Sequence, residues 1–223
     1  MKHSIAIIPA RGGSKRLPQK NILLLGDLPL IAHSITYAKA NGIEKVIVTT
    51  DDAAIKAIAL EYGAEVVDRP SHLATDTSPT IDALKHVVVS LPEMYQDVIL
   101  LQPTNPLRPK QLLKDAYQVY QQNNNDSLFS VTQNHHKLGK IHQHKFEPFN
   151  YTMGQRSQDL EPLYYENGLL YIAKRQLILE DKLIGERMHA YIIEHPFAKV
   201  DIDTQEDFDY AQYLLENRKK YEY

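Results

Sequence analysis

The densest chemistry in the chain follows its first apolar run, in Ala10-Arg-Gly-Gly-Ser-Lys-Arg-Leu-Pro-Gln-Lys-Asn21. Lys2, Arg11, Lys15, Arg16 and Lys20 all precede Asp27, the first acidic residue, although the whole chain carries a net charge of −3. Gly12 and Gly13 would let backbone N–H groups come close to an anion. A charge pair at ~4 Å is worth roughly 4 kcal/mol at an effective dielectric near 20, so several such cations can hold a triphosphate against water. The plainer reading, a solvated basic turn, is disfavoured by the strand that precedes it. The nine glycines contain no G-x-G, and no G-x-x-x-x-G-K-[ST] occurs, so neither familiar phosphate loop is present.

Two further groups of residues have useful types at useful spacings. Asp201 and Asp203 are two apart, so in an extended segment both carboxylates point to one side and can share a divalent cation. Mg²⁺ suits such a pair, because it takes one or two carboxylates and completes its octahedron with water and phosphate oxygens. On residues alone an equal alternative stands, in which Asp203 and Thr204 simply cap the last helix. Gln102-Pro-Thr-Asn-Pro-Leu-Arg108 holds two prolines after an apolar run and should form a stiff loop. The Gln102 amide suits hydrogen bonding to a polyhydroxylated or N-acylated sugar; the alternative is a turn whose side chain satisfies its own backbone. His135, His136, His142 and His144 lie in a polar stretch with no evident supporting shell, which favours a solvated or partner-contacting arm over a metal centre.

These residues need a frame. Ser4–Pro9, Lys45–Thr49, Glu65–Val67, Asp97–Leu101 and Ser127–Thr132 read as strands, apolar on both faces as in a parallel sheet covered by helices on both sides. Helices are predicted near Leu28–Ala40, Ala53–Tyr62, Ser78–Leu91 and Pro109–Asn123. In the second, Ile55, Ile58, Ala59 and Tyr62 share one face. The alternation indicates a doubly wound, mostly parallel α/β sheet, whose ligands bind beyond the carboxyl ends of the strands, where the basic loop must lie. From about 133 to 160 the chain turns polar, and a protruding arm, a β-hairpin, is expected there. Strands return at Gly168–Ala173 and Ala190–Glu194, and a helix from Gln205 to Lys219 closes the chain, capped by Thr204 with Asp207. One domain over 1–223, with this arm, is the expected organisation.

Composition closes off other classes. There are no cysteines, hence no disulfide framework, thiolate site or cysteine nucleophile. With a net −3 and 24 % charged residues, the chain is no general nucleic-acid binder. No apolar run approaches a membrane span, and Ile5–Ile8 is too short for a signal-peptide core, so a cytoplasmic protein is expected.

The basic loop resembles the A-R-x-x-S-K-x-L-P-x-K-N signature of the acylneuraminate cytidylyltransferases. Four further stretches match in order: Arg69-Pro with Leu-Ala-Thr-Asp-Thr77, Leu101 to Arg108, Tyr165-Glu-Asn-Gly with Leu-Tyr-Ile172, and Asp201-Ile-Asp-Thr204. Kdo cytidylyltransferases have a similar first loop, but Lys15 and the Lys20-Asn21 pair favour the sialic-acid branch. The resemblance implies a nucleotidyltransferase fold of Rossmann-like type and transfer of CMP from CTP to a free nonulosonic acid, with release of pyrophosphate. It implies that Ala10, Arg11, Gly12, Ser14, Lys15, Lys20, Asn21, Arg69, Ser78 and Thr80 bind CTP, and that Asp201 and Asp203 hold Mg²⁺. Arg11, Lys20 and both aspartates would be catalytic. Gln102, Lys140, Arg156, Tyr165, Asn167 and Tyr171 would bind the sugar, its carboxylate meeting Arg156 or Lys140. Family members dimerise through the region of the arm, so a homodimer is expected. The alternatives are a Kdo or other sugar cytidylyltransferase and a catalytically silent regulator that binds nucleotide sugars.

Overall fold

The computed structural model describes residues 1–92 and 95–221. The elements run β1 (Ser4–Pro9), β2 (Leu24–Leu25), β3 (Leu28–Pro29), α1 (Leu30–Ala40), β4 (Lys45–Thr50), α2 (Ala53–Glu61), β5 (Glu65–Asp68) and α3 (Thr80–Val89). They continue with β6 (Asp97–Leu100), α4 (Leu112–Gln122), β7 (Ser127–Asn134), β8 (Gly139–His142), β9 (Lys145–Pro148), β10 (Leu163–Lys174), α5 (Arg175–Leu179), β11 (Met188–Ile192) and α6 (Gln205–Glu216). Seven strands form one sheet in the order β11-β7-β10-β6-β1-β4-β5. Only β10 runs against its neighbours, pairing antiparallel with both β6 and β7. The doubly wound, mostly parallel sheet is the one the alternation of elements calls for.

Strand periodicity divides the core in two. Ala6 and Ile8 face a layer built from Ile31 and Ile35 of α1, Ala59 of α2 and Leu113 of α4. Ile5 and Ile7 face the opposite layer, with Leu84, Val87 and Val88 of α3 and Ile178 of α5. A third cluster packs α6, through Ala211 and Leu214, over the short β2–β3 hairpin and the buried Val200 and Ile202. Successive crossovers leave β1 towards β4 on one side and towards β6 on the other, so the crevice at the carboxyl ends of β1 and β6 is the switch point of the sheet. The basic loop after β1 and the Gln102 loop after β6 both open there.

The polar stretch holds the expected hairpin, β8 paired antiparallel with β9. Its two-residue turn uses Gln143 and His144 at φ 46° and 67°, the left-handed pair that joins strands without splaying them. Ile141, Phe149 and Met153 stand exposed on or beside it. Three features lie outside the sequence reading. The β2–β3 hairpin takes Leu28 and Pro29 from the predicted first helix, and α5 forms on a segment too short for periodicity to register. β10 starts at Leu163, not Gly168, because its first residues are half exposed and lack the apolar signal of a buried strand. Among the described residues no helix is long and apolar enough to cross a membrane.

Candidate active site

β1 ends as Ala10, itself buried, donates its N–H to the Thr49 carbonyl, 3.0 Å, and fixes where the basic loop leaves the sheet. The loop then walls a cavity of about 640 Å³ at the switch point, into which Arg11, Ser14, Lys15, Lys20, Asn21, Arg69, Ser78, Thr80, Gln102 and Asp203 all converge. Gly12 sits behind this wall. Its N–H donates to Asp51, 2.9 Å, rather than facing the cavity, and a Cβ there would lie 2.7 Å from the Asp52 carboxylate. Asp52 cannot move aside, because it caps α2 by accepting from Ala54 and Ile55. Only glycine fits this close approach. Asn21 is buried and donates to the Arg11 carbonyl, 3.0 Å, pinning the loop to itself.

Every cation of the loop has a carboxylate across the cavity. Arg11 and Lys15 both pair with Asp76, the former at 2.5 Å. Lys15 and then Arg11 hold the Asp76 carboxyl below the ordinary range. Arg16 and Lys20 both pair with Asp203, at 2.7 and 2.9 Å. The Lys20 ammonium is buried and also donates to the Ile202 carbonyl, 2.6 Å. Arg69 donates to the Thr49 carbonyl, 2.6 Å, and burial lowers its pKa. Ser78 ties its own loop, donating to the His72 carbonyl, 3.1 Å.

Asp201 and Asp203 flank Ile202, which is fully buried, so both carboxylates leave the same side of the segment. The capping alternative holds for Thr204 and fails for the Asp203 side chain, which pairs with Arg16 and Lys20. Thr204 accepts from the Asp207 N–H at the start of α6, and Asp207 accepts from the N–H groups of Thr204 and Asp203. Partial desolvation raises the Asp201 pKa, and the Asp203 charge adds to that, while a bond from the Thr104 hydroxyl opposes it. A carboxylate whose charge is disfavoured by burial and by a second carboxylate beside it suits a divalent cation. No group of three or more metal-binding side chains gathers among the described residues, so the donor set matches a cation that keeps water or phosphate ligands, as Mg²⁺ does.

The Gln102–Arg108 loop holds these parts in register. Ile202 donates to the Thr104 carbonyl, 2.8 Å, and the buried Asn105 amide donates to the carbonyls of Val200 and Asn167, 2.8 and 3.1 Å. Arg108, also buried, donates to the carbonyls of Leu169 and Gln102 and to the Ser34 hydroxyl. Its bonding partners are neutral, and burial pushes its pKa down to about 10.

A second cavity of about 510 Å³ lies on the other side of the Asp201–Asp203 segment, lined among others by His135, His136, Tyr165, Asn167, Lys199 and Asp201. Tyr165 is well exposed there. The Asn167 side chain is buried and engaged, accepting from Ser130 and the Leu169 N–H and donating to Thr132. Tyr171 goes elsewhere. Between Glu166 and Tyr171 the strand advances five residues while β7 advances two, a bulge centred on Gly168 at φ 76°. The three extra residues invert the alternation, and Tyr171 lands in the core facing α3, its hydroxyl donating to Glu166 and its pKa raised mainly by burial. Lys140 and Arg156 line neither cavity. Lys140 lies over the Phe149 ring on the hairpin, and Arg156 pairs with Asp159, 2.8 Å. Reasoning from sequence gave no role to Asp76 or Lys199 and counted Arg16 only among the loop cations. Asp76 stood inside a matched stretch, but its partners are 61 and 65 residues away, and nothing local marks them.

The cytidylyltransferase family model matches residues 5–223. This chain belongs to that family. N-acylneuraminate cytidylyltransferase of Streptococcus agalactiae is 36 % identical over 97 % of this chain and 56 % of its own length. The chain therefore spans little more than half of that relative. Pseudaminic acid cytidylyltransferase of Campylobacter jejuni is 34 % identical over 95 % of both chains. Among solved structures, CMP:2-keto-3-deoxy-manno-octonic acid synthetase complexed with CTP superposes with a TM-score of 0.71 over 96 % of this chain and 99 % of its own, at 18 % identity. That likeness shows the family's fold.

Proposed function

We propose that this protein transfers CMP from CTP to a free nonulosonic acid of the N-acylneuraminate, pseudaminate or legionaminate type, releasing pyrophosphate. The observation that carries the reading is the pairing of the 640 Å³ cationic cavity with a second cavity across the Asp201–Asp203 segment. A polyanionic nucleotide fits the first and a polar acid the second, with the two carboxylates at their junction. Relatives above 30 % identity bear the names of nonulosonic acid enzymes, whereas the Kdo enzyme shares only the fold, so the Kdo alternative stands second.

In this reading Arg11, Lys15 and Lys20 hold the triphosphate and take up charge on the departing pyrophosphate. Asn21 and the Asp51 contact keep the loop in place, while Arg69, Ser78 and Thr80 receive the nucleoside. Gln102 orients the acid so that its anomeric hydroxyl lies in line with the α-phosphorus. Attack there forms the new P–O bond as the α–β bridging bond breaks, a reaction that asks the protein for positioning and charge neutralisation. Asp201 and Asp203 would hold a divalent cation, Mg²⁺ by donor chemistry. Such an ion supplies charge neutralisation at the phosphate and acidifies a bound hydroxyl. Lys140 and Arg156 would meet the acid only from the arm of a second copy. The exposed apolar side chains of that arm suit burial against a partner, and a homodimer is the expected assembly in a cytoplasmic enzyme. Analytical ultracentrifugation reads the assembly directly.

The test is pyrophosphate release by the purified protein with CTP and Mg²⁺ across N-acetylneuraminic, pseudaminic, N,N′-diacetyllegionaminic and Kdo acids. Release with a nonulosonic acid supports the reading, and preference for Kdo moves it to the second branch. CTP binding with no release from any acid points to the regulator, and no CTP binding removes the assignment.

A further inference from the structure

Lys199 closes the short helical turn at Pro196–Lys199 and stands exposed, immediately before the carboxylate segment. Val200 and Ile202 are buried, at 1 % and 0 % exposure. The side chains of Lys199, Asp201 and Asp203 therefore leave the opposite side of the segment as one row. The row is rigid, because Asn105 holds the Val200 carbonyl and Thr104 holds the Ile202 N–H. In extended backbone, alternate residues lie about 7 Å apart. Asp203 looks into the nucleotide cavity, and Asp201 and Lys199 look into the second.

The second cavity has an unusual charge balance. Asp201 and Glu166 both line it, so an incoming acid meets two carboxylates. Lys199 is the one permanent cation in its lining, and among the described residues its ammonium has no ion-pair partner. The loop cations on the other side all have one. Arg156 and Lys140 lie on the arm and would reach this cavity only from a second copy.

We infer that Lys199 receives the carboxylate of the acceptor acid and makes this cavity select an acid over its neutral counterpart. The inference rests on the proposed reaction. It adds the residue that answers the acid's charge, set by the same rigid row that sets Asp201. Because the anomeric carbon bears both the carboxylate and the attacking hydroxyl, holding one beside Lys199 places the other near Asp201.

The test compares wild type with Lys199→Ala, Lys199→Arg and Arg156→Ala at saturating CTP, using the acid with the highest wild-type kcat/KM and its methyl ester. Lys199→Ala should raise KM for the acid about 10- to 100-fold, the loss of one charge-assisted hydrogen bond. KM for CTP should stay within about twofold on that same scale of effects. Lys199→Arg should recover part of the loss, and the preference for acid over ester should shrink in Lys199→Ala. Unchanged thermal melting would verify the fold of each exposed-site variant. An acid KM that Lys199→Ala leaves unaltered overturns the inference. So does an equal rise for acid and ester, or a loss that appears in Arg156→Ala instead. Wild type silent with every acid overturns the reaction itself, a result separable from the others.

Discussion

The two cavities flank one segment of chain and solve opposite problems. On the nucleotide side Arg11 and Lys15 share Asp76 while Arg16 and Lys20 share Asp203, so four cations divide two carboxylates and the site stays net positive. In the proposed reaction a triphosphate would displace those carboxylates and answer the remaining positive charge. On the acid side Lys199 has no ion-pair partner among the described residues, so an arriving carboxylate would pair with its ammonium without first displacing a counter-ion. The lesson is that the cost of keeping a charged site ready can fall on internal counter-ions in one half and on open solvent in the other.

Breaking the nucleotide side should have the largest effect. Lys20 is the loop cation held deepest, tied to both Asp203 and the Ile202 carbonyl. Lys20→Ala should lower kcat by roughly 10²–10³, as the removal of one preorganised electrostatic donor does; steady-state kinetics with near-native kcat would refute its role. Asp201→Asn should cost turnover on a similar scale, about 10²-fold by the same comparison, yet leave the melting temperature unchanged or slightly raised. The sign follows from its pKa, which is raised in the fold: the fold favours the protonated form, so at neutral pH ionised Asp201 works against stability and the amide does not. For the same reason the acidic limb of the kcat/KM profile should lie above the ordinary aspartate range and move down in excess metal. A limb indifferent to metal would break the link.

Asn105→Ala cuts the shared clamp and should disturb both cavities. It strands the buried carbonyls of Val200 and Asn167, at about 1–3 kcal/mol for each unsatisfied group, which denaturant titration would register. Asp76→Asn should have the smallest effect and the opposite direction. Removing the counter-ion of Arg11 and Lys15 frees them for the nucleotide, lowering the CTP KM about two- to fivefold, since exposed ion pairs are individually weak. A higher CTP KM would mean that Asp76 itself assists binding.

How much of this was legible depended on contiguity. The basic loop was readable because its cations are neighbours in sequence, and the carboxylate pair because a spacing of two means one side in extended chain. The Thr204–Asp207 cap is legible from its spacing, but only the folded chain shows the Asp203 side chain turned to Arg16 and Lys20. Tyr165 and Tyr171 show the limit. Six apart, they share a face in a regular strand, and an irregularity signalled by a single glycine sends them to opposite sides of the sheet. Asp76 and Lys199 were illegible for another reason: their meaning lies in what they do or do not touch, and that is a property of the folded chain.

The position of β10 bears on how the protein is made. It lies between β6 and β7 but follows both in sequence, so during synthesis those two strands wait with unpaired edges until the residues up to Lys174 have emerged. The strands carrying the basic loop can pair far earlier, and Asp203 emerges only after β10. A nascent or truncated chain would thus display its cationic loop half uncompensated beside open strand edges, a form suited to capture by chaperones or by other polyanions. Release from that vulnerable state and acquisition of the carboxylate row come in close succession, as β10 and then residues 199–203 emerge.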